Sequence, residues 1–254
     1  MKQKGTPIDG IRLSPRVFLR DGIFYLAVVA AFLLVAFSGH FTPLYAWLFL
    51  GGYALYVGML YVDTKRHRNE LDSGDDEHDE GMGLGAATVW LLVCISALGV
   101  ACFFLVEETI EISHVLGVNP YVVAVILTAA ATSIPDTIIS VTAAKKGGED
   151  AEEAIVNAFS SNIFDILICL SVPVLIYGSA IEIAVGESAV SLVMLAVTTV
   201  ITLILCKTGN TVTRTEAWIL VGMYGVFLAS VIFNEQIINL LGLRDALGLP
   251  PLAG

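Results

Sequence analysis

The sequence predicts an all-α integral membrane protein with about seven transmembrane helices. Of its 254 residues, 56% are hydrophobic and only 15% are charged, and the mean hydropathy is +0.82. No soluble domain has this composition. The apolar residues gather in seven runs, each near the ~20 residues that cross a bilayer as a helix. The basic residues collect in alternate connections between those runs, which is how short cytoplasmic loops are marked.

The first run, 22–38, follows a segment holding Lys2, Lys4, Arg12, Arg16 and Arg20. That segment has no apolar core of the length a cleavable signal peptide requires. The second run, 44–62, ends at Lys65, Arg66 and Arg68. A polar linker, 69–84, then carries the sequence E-L-D-S-G-D-D-E-H-D-E from Glu70 to Glu80. Its like charges predict a solvated loop, and it lacks the D-x-D-x-D-G spacing of a calcium-binding EF-hand. Five further runs follow at 85–106, 120–144, 153–177, 187–206 and 216–233, and residues 235–254 form a tail. The expected organisation is therefore two helices in 1–68, the linker, five helices in 85–234, and the tail.

Placing the amino terminus in the cytoplasm puts Lys145, Lys146, Lys207 and Arg214 on the same side as the basic residues already named. Twelve of the 13 Lys and Arg are then inside, and only Arg244 is outside. This division predicts an odd number of crossings, a cytoplasmic linker and an external carboxyl terminus, in what is expected to be the cell membrane. The net charge of -11 comes largely from the linker, and nucleic acid is not an expected partner. Cys94, Cys102, Cys169 and Cys206 fall in apolar runs without C-x-x-C spacing and read as buried small hydrophobes.

The second run and the last resemble each other at a constant offset. Thr42 matches Thr213, Ala46 matches Ala217, Trp47 matches Trp218, Gly51 matches Gly222 and Tyr53 matches Tyr224. The charge division gives the two copies opposite directions through the membrane. An inverted repeat of this kind is a mark of secondary transporters, which bind their substrates near the midplane where the repeats meet.

The chemistry lies in two other runs. Thr132-Ser133-Ile134-Pro135-Asp136 sits inside one and Ser161-Asn162-Ile163-Phe164-Asp165 inside the next. A carboxylate at the bilayer centre costs roughly 3 kcal/mol or more, so an acid there points to function. Residues three and four apart share a helix face. Thr132 and Ser133 therefore align with Asp136, and Asn157, Ser161 and Asn162 align with Asp165. Pro135 cannot donate to the carbonyl of Ala131, and a kink or local unwinding is expected there. All of these ligands are hard oxygens, which suit calcium or sodium and disfavour zinc. Thr128, Thr137, Ser140 and Thr142 read instead as packing residues that bond back to the chain, and Ala129, Ala130, Ala131, Ala143 and Ala144 as a close-packing surface.

At these two motifs, with K-K-G between them, the chain resembles the calcium/cation antiporter superfamily, which includes the sodium/calcium exchangers. The likeness is closest over the second alpha-repeat, from about Val118 to Tyr177. An acid in both motifs is most similar to the potassium-dependent sodium/calcium exchangers. The chain departs from the family at Ala131 and Ser160, where glycine is usual. The resemblance implies a fold of ten helices in two inverted alpha-repeats, with an ion site built from both. It implies that Asp136 and Asp165 bind calcium or other transported cations, that Ser133 and Ser161 bind sodium or assist calcium, and that Thr132 and Asn162 support them. Calcium and sodium are then the bound or transported ions, potassium is a further candidate, and no cofactor is implied.

No first alpha-repeat is evident in the sequence, so the expectation is a partial exchanger fold: the last two helices of repeat one and all five of repeat two. The site is then completed by a partner chain carrying the other alpha-repeat, or within a homo-oligomer. The alternative is a regulatory or assembly subunit that moves no ions itself. Intramembrane aspartyl proteolysis also uses two membrane acids, but neither motif has the G-x-G-D or Y-D context of those enzymes. The expected protein is a secondary active transporter and not an enzyme.

Overall fold

The computed structural model describes residues 2–3, 6–7, 10–71, 83–147, 149–240 and 242. The acidic stretch from 72 to 82 and Arg244 lie outside the described residues. Chain order is β1 (Lys2–Gln3), β2 (Thr6–Pro7), β3 (Gly10–Arg12), α1 (Pro15–Val17), α2 (Ile23–Phe37), β4 (His40–Phe41), α3 (Pro43–Leu71) and α4 (Leu84–Leu116). There follow α5 (Pro120–Val123), α6 (Ala129–Lys146), α7 (Glu149–Phe164), α8 (Ser171–Tyr177), β5 (Ile181–Glu182), α9 (Val185–Lys207), β6 (Thr211–Thr213), α10 (Arg214–Ile232) and α11 (Asn234–Leu240). Three π-helical turns, Phe18–Gly22, Ala124–Thr128 and Asp165–Cys169, join α1 to α2, α5 to α6 and α7 to α8. The described chain holds seven helices long and apolar enough to cross a membrane, each overlying one of the seven sequence runs. The fold is all-α.

The described residues form two compact units, one drawn from 1–58 and 134–254 and the other from 59–133. In the smaller unit α4 ends at Gly117, whose φ of 62° only glycine adopts without strain. Asn119 caps α5 by accepting from the Tyr121 amide at 2.8 Å. The hydroxyls of Thr109 and Thr128 meet at 2.7 Å and tie α4 to the π-turn that follows α5.

In the larger unit, short strand pairs show which helix ends lie together. β3 pairs with β6, so the amino-terminal segment and the α9–α10 turn share one end. β4 pairs with β5, so the α2–α3 turn and the α8–α9 turn share the other. The α2–α3 and α9–α10 hairpins therefore turn at opposite ends, as the charge pattern requires of an inverted repeat. Their sequence identities recur as structure. Thr42 Oγ1 accepts from the Tyr45 amide at 3.4 Å, and Thr213 Oγ1 from the Glu216 amide at 3.3 Å. Each threonine satisfies a free amide at the start of its helix. Trp47 and Trp218 both remain exposed, where an indole suits the membrane interface.

One interior contact breaks the likeness between the hairpins. Arg20, expected in the inner loop, instead lies in the π-turn leading into α2. Its guanidinium pairs with Asp21 at 2.7 and 2.9 Å, and Tyr56 donates to the same carboxylate at 3.2 Å. Asp21 is fully buried, and its adjacent arginine neutralises it there. The cysteines also differ from expectation. Only Cys206 is buried, whereas Cys94 and Cys169 are exposed, because an apolar side chain on a spanning helix can face lipid as readily as protein.

Candidate ion-binding site

The S-N-I-F-D motif is fixed by the packing of one face of α7. Ile163 and Leu167 are buried. Phe159 lies against Tyr25 with ring centroids 5.7 Å apart, and Phe164 meets Tyr53 edge-on at 5.7 Å. Leu167 approaches so near to Gly52 that a Cβ there would sit 3.7 Å from it. These contacts hold α7 against the α2–α3 hairpin and turn its polar stripe the other way. Asn162 and Asp165 are exposed and Ser161 is half-buried.

The helix changes register at the acid. Leu170 donates to the carbonyl of Asp165 at 3.2 Å, a five-residue step, which makes Asp165 the first residue of the π-turn. Such turns are frequent at functional sites because they re-aim side chains and loosen the carbonyl ladder. Cys169, one turn on, lies 3.6 Å from Asp165 Oδ1.

The T-S-I-P-D motif lies on α6, which continues through Pro135 without a break. The expected unwinding at the proline is not seen, and the irregularity falls earlier, at Ala124–Thr128. Proline's φ is itself helical, and only its N–H is missing. Thr132 and Ser133 are exposed and Asp136 is half-buried. The Thr132 hydroxyl donates back to the Ala129 carbonyl at 3.0 Å. The unit boundary falls between Ser133 and Ile134, so Thr132 and Ser133 close one unit and Asp136 opens the other.

Asp136 on α6 and Asp165 at the end of α7 stand on helices that are hydrogen-bonded to each other beside Asp136. The link between their helices is made by a residue that the sequence placed on the α7 stripe without assigning it a role. Asn157 donates to the main-chain oxygen of Asp136 at 3.2 Å and to Ser140 Oγ at 3.0 Å, and the Ser140 hydroxyl donates to the Ala154 carbonyl at 3.3 Å. Asn157 stands two turns before Asp165 on the same stripe, and that spacing is the only signal in the sequence that marks it. Asn162, by contrast, turns its amide back on the Ala158 carbonyl at 2.7 Å, and Ser161 does the same at 3.4 Å. Among the described residues, no three His, Cys, Asp or Glu side chains converge. A cation held here would need hydroxyl or carbonyl oxygens beside the two acids.

Seven helices apolar enough to span a membrane, with hairpins that turn at opposite ends, make an all-α membrane fold of the kind seen in a solved exchanger. The chain belongs to the sodium/calcium exchanger protein family, within the calcium/cation antiporter superfamily, since that family's model matches residues 86–233. It is 30% identical to a putative antiporter, CaxA, of Alkalimonas amylolytica over 68% of this chain and 55% of that one. It is 29% identical to the sodium/calcium exchanger MaX1 of Methanosarcina acetivorans over 56% of this chain and 40% of that one. Identity to the human sodium/potassium/calcium exchanger 2 is 29% over 57% of this chain and 23% of the relative. A crystal structure of an H+/Ca2+ exchanger, CAX, shares the fold with a TM-score of 0.61 at 17% identity, covering 91% of this chain and 62% of the other. The chain thus spans about half the length of CaxA and less than half of the two other curated relatives.

Proposed function

We propose that this chain supplies one half of a sodium-coupled calcium antiporter, a secondary active transporter in which Asp136 and Asp165 bind the transported cation. In this reading Ser133 and Ser161 bind sodium or assist calcium, and Thr132 and Asn162 support them. Calcium and sodium are the substrates, and potassium is a candidate co-substrate. The observation that carries the reading is the placing of the two acids on neighbouring, hydrogen-bonded helices that are apolar enough to span the membrane. Like charges in a low dielectric repel unless a cation or a proton lies between them, and the ligands proposed beside the two acids offer oxygens, as calcium and sodium prefer.

The same geometry supports a requirement for a partner. Calcium takes six to eight oxygens, whereas two carboxylates and a few hydroxyls fill such a shell only in part. Asn162 and Asp165 are exposed, and polar side chains at membrane depth belong against protein or water, not lipid. A second pair of motif helices, from a chain carrying the other alpha-repeat or from another copy of this one, covers that face and completes the site. The chain lies in the cell membrane with its amino terminus cytoplasmic and its carboxyl terminus external, as its Lys and Arg divide.

The test is reconstitution of the purified chain into liposomes with a sodium gradient, together with its thermal stability with and without calcium. The expected result is calcium-dependent stabilisation without sodium-driven calcium-45 uptake, and uptake once a chain bearing the other repeat is added. Robust uptake by this chain alone would overturn the need for a different partner. A melting temperature indifferent to calcium would overturn the site.

A further inference from the structure

We propose that the face of α10 centred on Tyr224 is the docking surface for an ion-motif helix of the other alpha-repeat, carried by a different chain; this rests on the partner requirement proposed above. The two hairpins are equivalent in structure as well as in sequence. The constant offset that carries Thr42 to Thr213 also carries β4 into β6 and β3 onto β5. β4 pairs with β5 and β6 with β3, so the strand that leads into each hairpin clasps the turn of the other, to within one residue of the same register. On the first hairpin the equivalent face is already occupied. Phe164 of the S-N-I-F-D motif meets Tyr53 of α3 edge-on at 5.7 Å, Leu167 lies against Gly52, and Tyr53 is half-buried. The same offset carries Tyr53 to Tyr224. The aromatic neighbour three positions on is kept as well, with Tyr53 and Tyr56 rings 6.5 Å apart and Tyr224 and Phe227 rings 6.4 Å apart. Yet Tyr224 is 53% exposed, and among the described residues no ring from another helix meets it.

The depth of Tyr224 decides between protein and lipid as the occupant. α10 has 19 residues, and Tyr224 stands about 12–15 Å from each of its ends at the helical rise per residue. A lipid-facing tyrosine belongs at the membrane interface, where its hydroxyl is wetted. At mid-span the hydrocarbon offers that hydroxyl no acceptor, and the unmade hydrogen bond is costly. Direction then decides which protein. The span that holds α7 and α8 runs towards the end where β4 and β5 pair, and α3 runs away from it, so α7 and α3 are antiparallel. α10 starts from the opposite end, beside β3 and β6. A helix that packs on Tyr224 as α7 packs on Tyr53 must therefore run opposite to α7. A second copy of this chain, inserted the same way, presents its own S-N-I-F-D helix in the wrong direction. The other member of an inverted pair of repeats presents its motif helix in the right one.

The test places the photo-cross-linking residue p-benzoylphenylalanine at position 224 of the full chain, in membranes of the cells that naturally make it. The same residue at Val226, 59% exposed and turned to another face of α10, is the control. The expected result at position 224 is a cross-linked peptide from a membrane-spanning helix of a different chain, identified by mass spectrometry. That helix should set a hydroxyl residue four positions before an acid or amide, as Ser161 stands to Asp165. Its capture should exceed that at position 226 by about tenfold, since contacts at the centre of an interface dominate it. An adduct with lipid alone, with a second copy of this chain or with a chain lacking such a helix overturns the surface, and so does equal capture at both positions. Two further variants separate docking from folding. Tyr224→Ala should leave the melting temperature of the purified chain unchanged, because the ring is exposed there. It should weaken co-purification of the captured chain about tenfold, whereas Tyr224→Phe keeps the ring and loses less. A lower melting temperature of the purified Tyr224→Ala chain, or undiminished co-purification, overturns the proposal. Failure of the antiporter reading shows separately, as a melting temperature indifferent to calcium with capture at position 224 intact.

Discussion

The two acidic motifs have the same chemistry and opposite surroundings. On α7, Ile163 within the motif is 0% exposed, whereas on α6, Ile134 within its motif is 56% exposed. The S-N-I-F-D helix is pinned through its Phe159, Phe164 and Leu167 against Tyr25, Tyr53 and Gly52, so its acid projects from a fixed base. The T-S-I-P-D helix leaves Ile134, Ile138 and Ile139 without protein cover, and its described side-chain link to α7 near the acid runs through Asn157 and Ser140. One half of the proposed site is thus anchored by packing, and the other is held by a few hydrogen bonds. Such a division suits a site that must keep its ligands while one wall moves.

The largest expected effect removes the chemistry that both halves share. Asp136→Asn and Asp165→Asn each delete a charged ligand while lowering the cost of insertion by as much as about 3 kcal/mol. Both variants should therefore enter the membrane at normal levels and lose calcium-dependent stabilisation. A variant that keeps the full calcium-dependent rise in melting temperature shows that its acid is not a ligand. Retention by one acid only would mean that the two halves are unequal in chemistry as well as in packing.

Packing itself comes next. Ile163→Ala empties a filled site and should cost about 2–5 kcal/mol of stability, the range for large-to-small changes in packed interiors. Ile138→Ala touches no packed protein surface and should stay within about 0.5 kcal/mol. Thermal unfolding in detergent measures both. Equal losses would show that the uncovered face of α6 is packed in the protein as it exists in the membrane, and the contrast between the two helices would fail.

Much of this arrangement was legible in the sequence, and the reasons are physical. A spanning helix must be apolar for about 20 residues, so composition revealed the crossings to within a few residues except the third, where α4 continues from the expected end at 106 to Leu116, and an acid in such a run stands out at once. The inverted hairpins were legible because caps and interfacial tryptophans recur with the helix ends that need them. The π-turns were not, since hydropathy carries no record of which carbonyl an amide chooses. Nor was the β3–β6 pairing legible, because three residues near the amino terminus pair with three residues about two hundred positions away, and no local pattern encodes that. Asp21 escaped notice because Arg20 beside it read as the end of a loop. Cys94 and Cys169 were misplaced because an apolar run does not say which of its faces meets lipid.

A smaller effect is expected at the link between the halves. Asn157→Leu keeps the side chain's approximate size and removes both donors, at a cost of about 1 kcal/mol by the measured worth of hydrogen bonds between membrane helices. If that energy sets the position of Asp136, calcium affinity should fall about fivefold. Ser140→Ala in the same background should add less than its own single effect, because the two residues share one network. Calcium titration of the melting temperature checks both variants. Full additivity with unchanged affinity would reduce Asn157 to a packing residue and remove the basis for calling α6 the loosely held half.

The smallest effect is expected at Ser133. Its hydroxyl is neutral, and it lies on the exposed face of α6, one turn before Asp136. A single neutral hydrogen-bonding or ligand oxygen contributes about 1 kcal/mol net, against the loss of a full charge in Asp136→Asn. Ser133→Ala should therefore raise the sodium concentration needed for half-maximal effect by severalfold and leave calcium-dependent stabilisation in place. Sodium competition against calcium-dependent stabilisation measures the shift in the purified chain. A loss as complete as that of Asp136→Asn would place Ser133 among the principal calcium ligands, which would make the α6 wall the stronger half of the site. No shift at all would instead leave sodium to the α7 stripe, with Ser161 as its hydroxyl, and the anchored helix would then carry both ions.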